Sequence, residues 1–272
     1  MSAASPDPLV DSVVAAVLAA PKYATVCPDT VRAIAVAELR AAQSAKEAAK
    51  RVKRKLHQIG GAYQRDDLRY ARWLAELQAA NDEASQREVC QRIMLAHASS
   101  RERLPYLDLF YQRVFSNLGA IGSVLDVACG LNPLALPWMG LPAAARYDCL
   151  DIYADQMAFM QAWLDLSGRP GEALWQDVLL APPIGAYDVA LLLKTVPCLQ
   201  QLDAAATRRL LATLRARTLV VSFPVRSLGG RDVGMLASYS RGFEQTLTEL
   251  GYGGEGQVIG DELVYIVGTE KG

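Results

Sequence analysis

"SVLDVACGLNP", residues 123–133, reads as a buried strand that runs into a tight turn. Val124, Leu125 and Val127 favour a strand, and Gly130 lets the backbone double back closely against a ligand. A strand ending in such a turn opens a nucleotide-binding α/β unit. In a dinucleotide site two further glycines would follow; here Leu131, Asn132 and Pro133 stand in their place. A pyrophosphate needs several close backbone N–H groups at a helix start. This loop therefore suits a ligand that makes one close passage over the backbone.

Working downstream, short apolar runs alternate with helical segments. "ARYDCLDI", "EALWQDV", "YDVALLLK" and "RTLVVSF" read as strands, while "DQMAFMQAWLDL", "AAATRRLLATLRA" and "LASYSRGFEQTLTEL" read as helices. Such alternation predicts a parallel sheet with crossover helices. "QVIG" and "ELVYIVG" have no helix between them and predict an antiparallel hairpin at the end.

Upstream the periodicity is helical throughout. "PDTVRAIAVAELRAA", "SAKEAAKRVKRKLHQIGGAY", "RYARWLAELQAAND" and "ASQREVCQRIMLAHASS" predict helices, the second ending at Gly60-Gly61. Net charge is −1, but it is divided unevenly: residues 1–105 carry a net +4 and residues 106–272 a net −5. We therefore expect two domains, a helical one over 1–105 with an electrostatic docking role and an α/β one over 106–272. The fold class expected is α/β: a Rossmann-like seven-stranded domain of the S-adenosyl-L-methionine-dependent methyltransferase type, preceded by an all-helical N-terminal domain.

In an open parallel sheet, ligands lie outside the carboxyl ends of the strands. The first strand ends with Ala128 and Gly130. The second ends at Asp151, placed to accept hydrogen bonds from ribose hydroxyls. The third run ends in Asp177-Val178, where a carboxylate suits the adenine amino group, and the fourth at Lys194. Polar groups at successive strand ends describe an adenosine better than a dinucleotide, and the cofactor expected is S-adenosyl-L-methionine. Cys129 and Cys149 read as small buried hydrophobes. The five cysteines form no CxxC pair and read as free thiols. With only His57 and His97 and no ligand-spaced partners, no metal site is expected.

Three readings of the activity differ in what they ask of these residues. Methylation of a pyrimidine C5 would use a cysteine nucleophile, and Pro197-Cys198 follows the fourth strand. Methylation of a guanine N7 needs no such group, because its lone pair is available in the neutral base. A non-enzymatic ribosome-binding factor would need neither. Nucleic-acid contact is carried by "KEAAKRVKRK", in which Lys46, Lys50, Lys53 and Arg54 share a helical face opposite Val52, Leu56 and Ile59. The loop "SFPVRSLGGRDVGM" adds Arg226 and Arg231, placed to clamp phosphates or a flipped base.

Spread along the chain in order, "KYATVCPDTVR", "KLHQIGGAY", "HASSRERLP", "VLDVACGLNPLALPWMG", "LLLKTVPCL", "SFPVRSLGGRDVGM" and "IGDELVYIV" resemble signatures of the aminoglycoside-resistance 16S rRNA (guanine-N7) methyltransferases. The resemblance implies methylation of the guanine at rRNA position 1405 in helix 44 of the assembled 30S subunit, blocking gentamicin and kanamycin. It implies that His97, Ala98, Ser99, Ser100, Arg101, Glu102 and Arg103 belong to the cofactor site, with Arg103 pairing with the methionine carboxylate. Ala128 and Gly130 would underlie the methionine, Asp151 take the ribose, and Asp177 with Val178 the adenine. Lys194, Arg226 and Arg231 would hold the target nucleotide, and Asn132 and Pro133 shape the floor beneath it. A cytoplasmic monomer that meets no membrane is expected.

Overall fold

A computed structural model of the chain describes residues 7–61, 68–203, 205–225 and 235–269. The chain begins with three helices, α1 (Pro8–Leu18), α2 (Pro28–Leu39) and α3 (Ala45–Leu56). The Asp7 carboxylate caps α1 by accepting the Leu9 N–H, and Ser44 Oγ caps α3 by accepting the Glu47 N–H. Val17, Val31, Ala35, Val52 and Leu56 are fully buried where the three helices meet. Burying each of these valines and the leucine stabilises by roughly 1.5–3 kcal/mol. Past Leu56 the chain makes a π-type turn over His57–Gly61.

Four more helices follow: α4 (Tyr70–Ala79), α5 (Glu83–Met94), α6 (Ala98–Arg103) and α7 (Leu107–Phe115). Among the described residues their apolar side chains join a different cluster from that of the first three. Leu77, Cys90, Ile93, Met94, Phe110 and Val114 join one apolar cluster with residues of the sheet. By packing, the first helical unit thus ends near residue 59, its cluster shared with Ile152, Tyr153 and Leu202, and the helices from Tyr70 onward cover the sheet.

The sheet has seven strands: β1 (Ser123–Val127), β2 (Arg146–Asp151), β3 (Ala173–Trp175), β4 (Ala186–Leu193), β5 (Arg215–Pro224), β6 (Gly253–Ile259) and β7 (Glu262–Gly268). Their spatial order is β3-β2-β1-β4-β5-β7-β6. The first five strands are parallel; β7 pairs antiparallel with both β5 and β6. The expected terminal hairpin is present, with its second strand inserted beside β5. Side chains alternate between the faces as a period of two requires. Val189 and Leu191 of β4 join the cluster under α4–α7, whereas Ala190 and Leu192 face the opposite layer. That layer holds α10 (Ala206–Thr213) and α11 (Met235–Leu250); α8 (Ala154–Leu166) lies on the first face.

Two connections depart from a regular strand–helix alternation. Between β1 and β2 the chain forms a 3-10 segment, Asn132–Trp138, because Pro137 inside it removes a donor an α-helix would need, while Pro133 sits in its first turn. After β4 a short helix, α9 (Val196–Leu202), precedes α10. Its Pro197 lies in the first turn, where the missing N–H costs nothing.

The register aligns the carboxyl ends of the strands. Val127 pairs with Leu150, and Asp151 with Trp175. The segments leaving β1, β2, β3 and β4 therefore emerge along one edge. Gly171 makes the β2–β3 pairing possible: its φ is +152°, and a Cβ there would lie 1.9 Å from the Tyr147 carbonyl oxygen. Gly171→Ala is expected to destabilise the protein by at least about 2 kcal/mol, seen as a lower urea midpoint. An unchanged midpoint would show that β3 can shift away from β2 without loss.

Candidate cofactor site

At that strand edge lies a cleft enclosing about 940 Å³ of empty space, counted out to its open mouth. Its floor is the loop after β1. Ala128 and Gly130 both adopt left-handed backbone, with φ of +51° and +53°. For alanine this costs roughly 1–2 kcal/mol; it persists because the loop is tied down on both sides. The Cys129 N–H donates to Leu150 O of β2, and the Gly130 N–H donates to Asp151 Oδ2 at 3.0 Å. Gly130 has a second constraint, since a Cβ there would sit 2.7 Å from the His97 ring. Among the described residues the one other non-glycine at positive φ is Lys194, φ +59°, at the end of β4. Both strained residues line the cleft.

The carboxylates expected at the strand ends are there. Asp151 has one oxygen on the Gly130 N–H and the other on the Ile152 N–H at 2.7 Å. Burial raises its pKa against those two donors. Asp177 Oδ1 accepts the Leu179 N–H at 2.8 Å, and its Oδ2 accepts the Thr30 hydroxyl at 2.8 Å. Val178, Leu179, Ile152 and Leu199 provide apolar lining between them.

Opposite these lies a buried charge cluster. The Arg103 guanidinium, 1% exposed, donates Nε to Glu262 Oε1 at 2.8 Å, Nη2 to Glu262 Oε2 at 2.9 Å, and Nη1 to Asn132 Oδ1 at 2.9 Å. The Phe110 ring covers it at 4.5 Å. Burial works against both charges of the pair, but each overcomes it in the other's favour. Arg103 is held above its usual value by Glu262, and Glu262 below its own by Arg103 and Lys194. Three of the guanidinium's five N–H donors are engaged. Those remaining, on a residue that lines the cleft, fit a ligand carboxylate.

Asp126 is also buried here. Its Oδ2 accepts from Tyr147 Oη at 2.7 Å and from Asn132 Nδ2 at 2.9 Å. Burial lifts its pKa to about 7. Asn132 in turn accepts from the Tyr111 hydroxyl, so one side chain joins Arg103, Tyr111 and Asp126.

Of the stretch 97–103, His97, Ser99 and Arg103 line the cleft. Ala98 and Ser100 are buried, Arg101 is exposed, and Glu102 carries a different contact from the one expected. Its carboxylate accepts from Lys194 Nζ at 2.7 Å, while Glu262 Oε1 lies 3.5 Å from the same ammonium. Lys194 is thus 5% exposed and turned toward two carboxylates. Arg226 and Arg231 lie outside the described residues. Lys46, Lys50 and Arg54 are exposed on α3, away from its buried Val52 and Leu56, and Lys53 is half-buried. Arg51, between them, is neutralised by Glu38 and Glu47.

Reading the sequence alone missed Asp126, Glu262, Tyr153 and Thr30. An aspartate inside the apolar run "SVLDVAC" was a signal for the first; nothing local marks the others. The Tyr153 hydroxyl is buried, lines the cleft and makes no hydrogen bond. A polar group left so inside a cleft is one a ligand can satisfy.

The strand order β3-β2-β1-β4-β5-β7-β6 with carboxylates after β2 and β3, an apolar slot and an arginine in the cleft defines an S-adenosyl-L-methionine-dependent methyltransferase. Residues 19–266 match the family described as ribosomal RNA methyltransferase (FmrO). The chain is 38% identical to the 16S rRNA (guanine(1405)-N(7))-methyltransferase of Micromonospora echinospora, over 98% of this chain and 99% of the relative. It is 41% identical to the protein of the same name from Frankia casuarinae, over 97% and 95%. The crystal structure of the 16S rRNA methyltransferase RmtF in complex with S-adenosyl-L-homocysteine superposes with a TM-score of 0.82 at 34% identity, covering 97% of this chain and 99% of that one. The chain belongs to the FmrO family of ribosomal RNA methyltransferases, and S-adenosyl-L-methionine is its methyl donor.

The cleft has opposing pH responses built in. Burial first, then Arg103, Lys194 and Arg101, lower the His97 pKa to about 4. In the unfolded chain an imidazole titrates near 6.5. Between those values only the unfolded chain binds the proton, so stability is complete above about 6.5 and is lost as pH falls toward 4, by on the order of 3 kcal/mol. Asp126, raised to about 7, acts in the opposite sense: stability is lost as pH rises from about 4 to 7. Removing the imidazole leaves the second slope alone. The His97→Asn protein, without cofactor, is therefore expected to gain stability at pH 5 relative to pH 8 compared with the unmodified protein. Urea unfolding at the two pH values measures this, and identical pH dependence would refute it.

Proposed function

We propose that this enzyme methylates N7 of the guanine at position 1405 of 16S rRNA, in helix 44 of the assembled 30S subunit. The modification would give resistance to 4,6-disubstituted deoxystreptamine aminoglycosides such as gentamicin and kanamycin. The observation that carries the reading is the end-to-end correspondence with relatives of that name. The enzyme would act in the cytoplasm as a monomer; among the described residues no helix is long and apolar enough to cross a membrane.

The residues divide the work as follows. Asp151 accepts from the ribose and Asp177, with Val178, from the adenine, while the open donors of Arg103 hold the methionine carboxylate. S-adenosyl-L-methionine supplies an electrophilic methyl group on its sulfonium. A guanine N7 is nucleophilic as the neutral base, so the protein has no proton to remove and its task is alignment at near-attack distance. The cleft matches that demand. His97 stays neutral, Asp126 is bound into a buried network, and Lys194 is held by Glu102 and Glu262. Lys194, Arg226 and Arg231 would steady the nucleotide. The exposed Lys46, Lys50 and Arg54, with Lys53, would meet rRNA phosphates and dock the segment 1–105, while residues 106–272, joined at the cleft by His97 and Arg103, would carry the chemistry. Family membership argues against a non-enzymatic ribosome-binding factor.

Purified 30S subunits treated with the protein and labelled S-adenosyl-L-methionine should show borohydride–aniline cleavage at position 1405; label elsewhere, or none, would sink the assignment. Cys198 lines the cleft, so a C5 mechanism is tested directly. Cys198→Ala should keep full methyl transfer, and loss of it with cofactor binding intact would favour the pyrimidine reading. Lys50→Ala with Arg54→Ala should weaken subunit binding and reduce its log–log salt slope by about 2, leaving cofactor affinity unchanged. A simultaneous loss of cofactor binding would contradict the division between docking and chemistry.

A further inference from the structure

Asp177 is held from outside the α/β domain. Its Oδ2 accepts from Thr30, a residue 147 positions earlier in the first turn of α2, and Thr30 is 1% exposed. The contact is framed by backbone pairing just before α2. The Cys27 N–H donates to Ile152 O at 2.7 Å, the Ala154 N–H donates to Thr25 O at 2.8 Å, and Val26 bridges antiparallel to Tyr153. The start of α2 is thereby locked to the chain that follows Asp151. Thr30, Ile59 and Gly60 all belong to the cleft wall.

A carboxylate in this position needs such a donor. Asp151 and Asp177 repel one another across the cleft. The carboxylate torsion of an aspartate is broad, so packing alone does not fix it. With Oδ1 on the Leu179 N–H and Oδ2 on the Thr30 hydroxyl, both oxygens are oriented and both retain a lone pair. Because Thr30 donates, Asp177 is presented to the cleft as an acceptor only. An acceptor selects the 6-amino group of adenine and rejects the 6-oxo group of hypoxanthine.

We propose that Thr30, a residue of the N-terminal helical unit, is a positioning residue that orients Asp177 and thereby sets the preference of the cleft for adenine over 6-oxopurine. This rests on the assignment of Asp177 to the adenine. The N-terminal unit is then part of the cofactor site as well as a docking platform.

The test is calorimetric binding of S-adenosyl-L-homocysteine and S-inosyl-L-homocysteine to the full-length protein and to its Thr30→Ser, Thr30→Val and Asp177→Asn variants. The readout is the ratio of the two affinities, which does not depend on the fraction of protein that is folded. The adenosyl preference should persist in Thr30→Ser and fall about tenfold or more in Thr30→Val, the expected effect of losing a hydrogen bond to a charged group. Asp177→Asn should abolish it. If Asp177→Asn abolishes the preference and Thr30→Val leaves it intact, the role of Thr30 is refuted and the adenine assignment stands. If Asp177→Asn leaves it intact, the adenine assignment fails and the role of Thr30 fails with it.

Discussion

The two-pronged ion pair between Arg103 and Glu262 joins the end of α6 to the start of β7, across 159 residues of sequence, with both side chains out of water. Removing such charges from solvent is costly, and attraction compensates only when geometry is good and the remaining donors and acceptors are satisfied. Here they are. Asn132 takes a third guanidinium donor, Phe110 covers its face, and Ser222 and Lys194 complete the carboxylate's surroundings. One point in the interior therefore fixes the segment before α7, the loop after β1, the ends of β4 and β5, and the terminal hairpin. Removing either partner would leave an uncompensated buried charge, a loss of about 3–5 kcal/mol.

The same pair explains why the cleft is rigid where it is strained. Lys194 tolerates left-handed backbone because its N–H is held by Ser222 and its ammonium by Glu102 and Glu262. Ala128 tolerates it because the next residues are bonded to β2 and Asp151. A reaction that transfers a methyl to a neutral nitrogen asks little of acid–base groups and much of placement. The N-terminal helices contribute to the wall of the cleft. Gly60 lies against the Tyr153 ring so closely that a Cβ would fall 2.4 Å from its hydroxyl, so the chain after α3 abuts the cleft wall where only glycine fits.

Much of this architecture is legible in the amino-acid sequence. Each of the seven apolar runs forms a strand; the central parallel ones, such as β1 and β4, are buried on both faces and are therefore written as nearly continuous apolar segments. The second and third strand ends carry the carboxylates where the topology requires them, and "ACGLNP" forms a loop with one glycine in close contact. The departures have local causes: an internal proline, Pro137, makes Asn132–Trp138 a 3-10 segment, and Gln176–Val178 leaves the sheet after a strand of three residues. The charge division at residue 105 does not coincide with a packing boundary, since net charge reports on surface while apolar contacts decide which helices share a core.

Hydrophobic period, glycine placement and the strand-end aspartates were sufficient, from sequence alone, to specify the layered α/β architecture and the edge where the cleft opens, because these are rules about neighbours in the chain. Which partners meet in the interior was decided only by the tertiary structure. Glu262 reaching Arg103, Glu102 rather than solvent receiving Lys194, and Thr30 bonding Asp177 are contacts between distant segments. Their energies depend on burial and on distances of a few ångströms, which exist only after the chain has closed on itself.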